Sequence, residues 1–141
     1  MSLNSTKRFS DRVDNYIKYR TGYPQEIIPY LKEVAELNTG MQIADIGSGT
    51  GILTKLFLEN GNTMYAAEPN DAMRNAAEHL LKNYSRFISL DGTAEQTGLD
   101  NESMDMIIAG QAFHWFDPVK TKKEFQRIAK TNSFVVLIWN E

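Results

Sequence analysis

The segment DIGSGTG, Asp45 to Gly51, constrains this chain more than any other stretch. It follows a short apolar run, Met41 to Ala44, and precedes Ile52, Leu53, Leu56 and Phe57, which recur with helical spacing. Strand, glycine-rich turn and helix, in that order, form the place where an open α/β sheet receives an adenosine-containing cofactor. The spacing of the glycines narrows the choice. A dinucleotide fingerprint opening at Gly47 needs its third glycine at position 52, which is Ile52. Here the glycines alternate instead, at Gly47, Gly49 and Gly51. Such a loop admits left-handed backbone angles and lets a ligand approach the main chain. The N–H groups that open the following helix favour an anionic group such as a carboxylate.

The rest of the chain supplies the frame that this loop needs. Five short apolar runs bounded by turn residues read as buried parallel strands: Gln42 to Ile46, Thr63 to Ala67, Arg86 to Leu90, Met104 to Ala109 and Ser133 to Trp139. Between them, Ile52 to Glu59 reads as a helix stopped by Asn60-Gly61. A second helix, Asn70 to Leu81, is capped by Asn70 and turns Met73, Ala76, Ala77 and Leu80 inward. A third starts at Asp117-Pro118, a cap followed by proline at the first helical position, and buries Phe125, Ile128 and Ala129. Ahead of the strands, Pro24 to Leu37 reads as a helix with Ile27, Ile28, Leu31, Val34 and Ala35 inward, kinked or restarted at Pro29. Alternating elements of this kind predict an α/β fold, a Rossmann-like three-layer αβα sandwich on a mostly parallel sheet. Its strand order in this numbering is 3-2-1-4-5.

Bulk properties set outer limits. With 141 residues, 42% hydrophobic and 23% charged, the chain is one domain with a real core. A net charge of −3 argues against a basic nucleic-acid surface, and Lys120, Lys122, Lys123 and Arg127 read as the solvated face of a helix. The sequence has no cysteine, and His79 and His114 lack metal-ligand spacing, so no metal site is expected. The apolar run Phe134 to Trp139 is too short to span a bilayer, and the N-terminus has no signal-like stretch. The expectation is a cytoplasmic protein without membrane or nucleic-acid partners.

Four further segments carry chemistry. Glu68 closes the second predicted strand in MYAAEPN, where a carboxylate accepts hydrogen bonds from both hydroxyls of a ribose. LDGTAE, Leu90 to Glu95, follows the third strand, and GQAFHWFD, Gly110 to Asp117, follows the fourth. NYIKYRTGYP, Asn15 to Pro24, precedes the first helix.

Together with the GxGxG loop, these segments resemble the class I S-adenosylmethionine-dependent methyltransferases, and in particular a small-molecule branch that includes trans-aconitate methyltransferases. The likeness runs from about Phe9 to Asn140. It implies methyl transfer from S-adenosyl-L-methionine to a small-molecule acceptor. The implied cofactor site comprises Asp45, Gly47, Ser48, Gly49 and Gly51 of the loop, then Glu68, Pro69, Asn70 and Met73 at the ribose and adenine. Thr93, Ala94 and Glu95 would border the adenine, with Thr93 standing where the family often has an acid. Gln111 and Ala112 would face the cofactor, while His114 and Trp115 would line the acceptor pocket, His114 as the candidate catalytic base. Tyr19 and Arg20 would lie over the cofactor and its carboxylate.

The resemblance also sets an expectation about extent. The family's sheet has seven strands ending in an antiparallel hairpin, whereas this chain stops after its fifth predicted strand. Residues 1–141 are therefore expected to be a single cofactor-binding domain, C-terminally incomplete, with 1–37 an N-terminal arm and helix over the site. An unpaired last strand would invite self-association. Two other readings stay open: a non-catalytic module that binds the cofactor, and a nicotinamide-dependent oxidoreductase.

Overall fold

The structure is a computed structural model and describes residues 15–22, 24–110 and 116–140. In chain order the elements are β1 (Asn15–Thr21), a single 3-10 turn (Pro24–Glu26), α1 (Ile27–Val34), β2 (Gln42–Ile46), α2 (Ile52–Glu59) and β3 (Thr63–Ala67). They continue with α3 (Asp71–Leu80), β4 (Phe87–Leu90), β5 (Met104–Ala109), α4 (Pro118–Ile128) and β6 (Ala129–Asn140). The six strands form one sheet in the order β1-β6-β5-β2-β3-β4, and each neighbouring pair is parallel. The five predicted strands occupy it in the order expected from the sequence.

Alternation of side chains across the pleat builds two cores. Ile43, Met106, Ile108, Val136 and Ile138 face α1 and α2, where Ile27, Leu31, Phe57 and Leu58 meet them. Ala44, Ile46, Ile107, Ala109, Val135 and Leu137 face the other way, against Phe125 and Ile128 of α4 and Leu99 of the β4–β5 connection. That connection contains no helix.

Capping follows the sequence closely. The Asn70 side chain accepts from the Met73 N–H at 2.9 Å. Asp117 accepts from Val119 at 3.0 Å and Lys120 at 2.9 Å, with Pro118 at the first helical position. Pro29 falls in the first turn of α1, where its missing N–H has no helical acceptor in any case, so the chain restarts before it.

Four expectations are corrected. First, β6 is no free edge: β1 pairs with it over seven residues, from Asn15 opposite Phe134 to Thr21 opposite Asn140. β1 thus takes up the backbone groups through which β6 was expected to self-associate, and the segment expected as an arm is an edge strand from Asn15 onward. Second, β6 begins at Ala129 rather than Ser133, because Ala129 pairs with Met104 before an irregularity between Met104 and Met106 shifts the register. Asn132 has φ 67° within it. Third, α3 buries Ala77 and then Leu81, while Met73, Ala76 and Leu80 are exposed. The reason is Gly51: a Cβ there would lie 2.8 Å from Leu81 Cδ1 and 3.3 Å from Ala77 Cβ, so α3 is rotated to seat these two on the glycine. Fourth, Val34 is exposed, since α1 meets the sheet through Ile27 and Leu31 and, just beyond its end, Ala35.

Candidate cofactor site

Because all strands are parallel, their C-terminal ends share one edge, and a cleft of about 360 Å³ opens there beside the glycine loop. Its polar wall is Asp45, Gly47, Ser48, Thr50 and Gly110; its apolar wall is Leu53 and Leu56 of α2 with Ile138 and Trp139 of β6. Gly47, Gly49 and Gly51 have φ of 71°, 60° and 88°, all in the left-handed region. Their uses differ. Gly51 makes room for α3, whereas a Cβ at Gly49 would meet nothing within 4 Å, so Gly49 leaves open space at the loop.

The loop is pinned from β3. The N–H groups of Gly47 and Ser48 donate to the Ala67 carbonyl at 2.9 and 3.2 Å. The Gly49 N–H donates to Glu68 Oε1 at 2.7 Å, and the Asn70 N–H donates to Glu68 Oε2 at 3.0 Å. Glu68 thus clasps the loop to its own turn, and among the described residues each oxygen accepts from one donor, which leaves a second lone pair. Arg74 Nη1 donates to the Glu68 carbonyl at 3.0 Å and lies 3.3 Å from Asp91, tying this turn to the end of β4.

Asp45 faces α2 from the end of β2 and is 1% exposed. Its Oδ2 accepts from Thr54 Oγ1 at 2.5 Å. Burial pushes its carboxyl up to about 7; the Thr54 hydrogen bond opposes that rise and the nearby Glu68 charge adds to it.

The remaining expected residues are distributed as follows. Thr93 and Glu95 line a second, polar cleft of about 530 Å³ with Asp117 and Lys120. Thr93 Oγ1 accepts from the Gln96 N–H at 3.0 Å, Glu95 Oε2 accepts from the Asp117 N–H at 2.8 Å, and Ala94 is buried in the core. Met73 is 46% exposed on the first turn of α3, next to Asn70 and Pro69. Tyr19 packs on Tyr30 with ring centroids 4.8 Å apart. Arg20 stands opposite Trp139, which lines the first cleft. Gln111, Ala112, His114 and Trp115 lie outside the described residues. Sequence reasoning passed over Thr54, Arg74 and Gly110. The signal for Thr54 is a hydroxyl set among Leu53, Leu56 and Phe57, on the helix directly after the glycine loop.

Comparison with known proteins decides the family. The family described as methyltransferase domain matches residues 44–137, from β2 to β6. The chain belongs to the methyltransferase domain family. An uncharacterized methyltransferase of Mycobacterium tuberculosis is 33% identical over 132 residues, covering 94% of this chain and 51% of the relative. Another, of Schizosaccharomyces pombe, is 30% identical over 139 residues, covering 95% and 53%. The chain therefore spans about half the length of the curated relatives it matches. Among solved structures, an S-adenosylmethionine-dependent methyltransferase from Aquifex aeolicus superposes with a TM-score of 0.68 at 20% identity, covering 92% of this chain and 68% of that one. At that identity the likeness shows the fold. The family match also removes the oxidoreductase alternative, in agreement with Ile52 at the third glycine position. Among the described residues, no helix is long and apolar enough to cross a membrane.

Proposed function

We propose that this methyltransferase domain binds S-adenosyl-L-methionine in the cleft at the glycine loop and serves methyl transfer to a small-molecule acceptor. The observation that carries this reading is the joint geometry of Gly49 and Glu68: a left-handed glycine with open space at its Cα, held 2.7 Å from a carboxylate that retains free lone pairs. The residues fit the group. Glu68 is placed to accept from ribose hydroxyls while its N–H partners hold the carboxylate still. The first-turn amides of α2 offer donors for a carboxylate. Asp45 lines the same cleft as an acceptor for a cationic amine. Asn70, Met73 and Pro69 border the adenine side, and Arg20 stands beside the end of β6, opposite Trp139.

When bound, the cofactor supplies an electrophilic methyl on a sulfonium. The chain's part is to hold donor and acceptor in line and to exclude water, for which the apolar wall of Leu53, Leu56, Ile138 and Trp139 is suited. His114 and Trp115 are proposed for the acceptor side, His114 as the base for an acceptor that must lose a proton; a carboxylate acceptor needs none. A cytoplasmic setting accords with this chemistry.

Isothermal titration of the chain with S-adenosylmethionine tests the reading, alongside Glu68→Ala and Glu68→Gln. The expected result is saturable binding by the wild type and at least about tenfold weaker binding by Glu68→Ala, with Glu68→Gln in between. Equal affinity in all three overturns the site assignment. Absence of binding in all three overturns the function.

A further inference from the structure

Arg74 is a cation one turn into α3, near the helix end where the dipole disfavours positive charge. A long cationic side chain on a helix face usually keeps its head in water. This one is only 16% exposed, because it curls back over the start of its own helix. Nη1 donates to the Glu68 carbonyl at 3.0 Å and to the Pro69 carbonyl at 3.4 Å. The same nitrogen lies 3.3 Å from Asp91 Oδ1, just past β4, and Nη2 donates to Asp71 Oδ1 at 2.6 Å. The pairs with exposed Asp71 and Asp91 are worth little by themselves. The carbonyl bonds differ in kind, since they hold the backbone of the residue that clasps the glycine loop.

Glu68 is fixed at four points. Its N–H donates to the Leu90 carbonyl at 3.0 Å, and its carbonyl accepts from Arg74. Its side chain accepts from the Gly49 N–H at 2.7 Å and the Asn70 N–H at 3.0 Å. The first two bonds orient the main chain, and the last two orient the carboxylate. Of the two main-chain anchors, Arg74 is the one that a side chain supplies.

We propose that Arg74 is a positioning residue: it holds the Glu68 carbonyl so that the carboxylate spans Gly49 and Asn70 with its remaining lone pairs turned to the ligand's ribose. Arg74 thereby sets how strongly the site prefers a ribose to a deoxyribose. This rests on the function proposed above. The fork matters as well as the charge. A guanidinium serves two carbonyls and two carboxylates at once from a fixed plane, whereas a lysine ammonium is a point on a flexible stem. Without the fork the turn after β3 is free to rock, and a shift of about 1 Å is enough to spoil the aim of a hydrogen-bonding group.

The experiment uses the whole chain and two probes, 5′-methylthioadenosine and its 2′-deoxy analogue, which differ by one hydroxyl. The wild type should bind the first at least about tenfold more tightly, because the deoxy probe leaves a polar group of the site unpaired. Arg74→Met keeps the stem and removes the fork. It should shrink this preference to about twofold by weakening the ribose probe, with the deoxy probe nearly unaffected. Amide hydrogen exchange without ligand is the second readout. The Gly49 and Asn70 N–H groups should exchange about tenfold faster in Arg74→Met, while Gly47 and Ser48, held by the Ala67 carbonyl, stay as in the wild type. A merely structural role would weaken both probes alike and speed all four amides alike. Either of those results, or an unchanged preference, overturns the proposal. Should Arg74→Met not fold, Arg74→Lys decides: it must still lower the preference and release Gly49 and Asn70, and wild-type behaviour overturns the proposal. Equal affinity of the wild type for the two probes overturns the ribose role of Glu68 and the proposal with it. A wild type that binds neither probe overturns the proposed function, and the exchange pattern alone then judges the hold of Arg74 on Glu68.

Discussion

Two buried carboxylates sit on opposite faces of the same sheet and are treated in opposite ways. Asp45 (1% exposed) has, among the described residues, one side-chain hydrogen bond, from Thr54, and is pushed up to about 7. Glu124 of α4 (8% exposed) accepts four: Thr97 N–H at 2.9 Å, Thr97 Oγ1 at 2.7 Å, Arg127 Nε at 2.9 Å and Arg127 Nη2 at 2.6 Å. Burial would raise Glu124 as well, but the hydrogen bonds from Arg127 and Thr97 outweigh it and draw the carboxyl down to about 2. The difference is one of purpose. The β4–β5 connection has no helix of its own, and Glu124 fastens it to α4, so both carboxylate oxygens are engaged, Oε2 by three donors and Oε1 by one. Asp45 stands at a cleft and is left short of partners, which costs stability and leaves an oxygen for a ligand.

The largest effect expected from this contrast is at Glu124. Glu124→Ala would strand the buried Thr97 N–H and leave the Arg127 guanidinium only Asn101 and solvent, at a cost of about 3–4 kcal/mol measured by urea denaturation. The pH dependence has a definite sign. A folded value of about 2 against 4.5 means that the contribution is present above 4.5 and is lost as pH falls toward 2. Its size is roughly 2–3 kcal/mol, after discounting for an Arg127 side chain that is 37% exposed. The variant should lack this acid-side slope. A variant as stable as the wild type would break the contrast outright.

Asp45 should show the reverse, and more weakly. Its folded value lies above 3.8, so the folded state binds the proton more tightly, and stability falls as pH rises from 3.8 to about 7 before levelling off. Asp45→Asn, which retains an acceptor for Thr54, should therefore stabilise the chain by roughly 2 kcal/mol on the alkaline side and much less below 3.8. Full conversion of the shift into stability is not expected, because the amide is itself buried with a group to spare. Urea midpoints across the pH range decide the matter. A destabilised variant at alkaline pH would mean that Asp45 is as well satisfied as Glu124.

This contrast also marks what could be read from the sequence. Local pattern carried β2, β3 and β5 and the whole of α2 to the residue, because short apolar runs and turn residues act over a few positions. The caps at Asn70 and Asp117 were legible for the same reason. Pairings at long range were not. The sequence reads as an arm where β1 lies, because the partner of β1 begins more than a hundred residues away: the Asn15 side chain reaches the Ser133 carbonyl at a separation of 118. The buried face of α3 depends on Gly51, a loop residue just ahead of α2 whose missing side chain sets the rotation. The site divides in the same way. The glycine loop and Glu68 stand out in the sequence, but that Glu68 clasps the Gly49 N–H does not, and neither does the pairing of Asp45 with Thr54. Sequence supplies the residue types at a site; the tertiary fold decides which lone pairs remain for a ligand.

The smallest effect tests whether lack of partners alone marks a functional group. Thr121 lies on α4 one turn before Glu124, is 6% exposed, and its Oγ1 has no hydrogen-bond partner among the described residues. Its N–H donates to the Asp117 carbonyl in the ordinary helical way at 2.9 Å. Unlike Asp45, it lines neither of the two clefts. An unsatisfied hydroxyl that lines neither described cleft is a cost without a use, and valine has the same branching at Cβ with no polar group to bury. Thr121→Val should therefore stabilise the chain by about 1 kcal/mol, seen as a rise of a few degrees in Tm. It should leave S-adenosylmethionine affinity unchanged. A fall in Tm would show that the hydroxyl finds a partner in solution, and partner counts would then no longer separate Asp45 from Glu124. A rise in Tm with weakened ligand binding would connect α4 to the glycine loop through the sheet, and the two faces would have to be treated as one coupled unit.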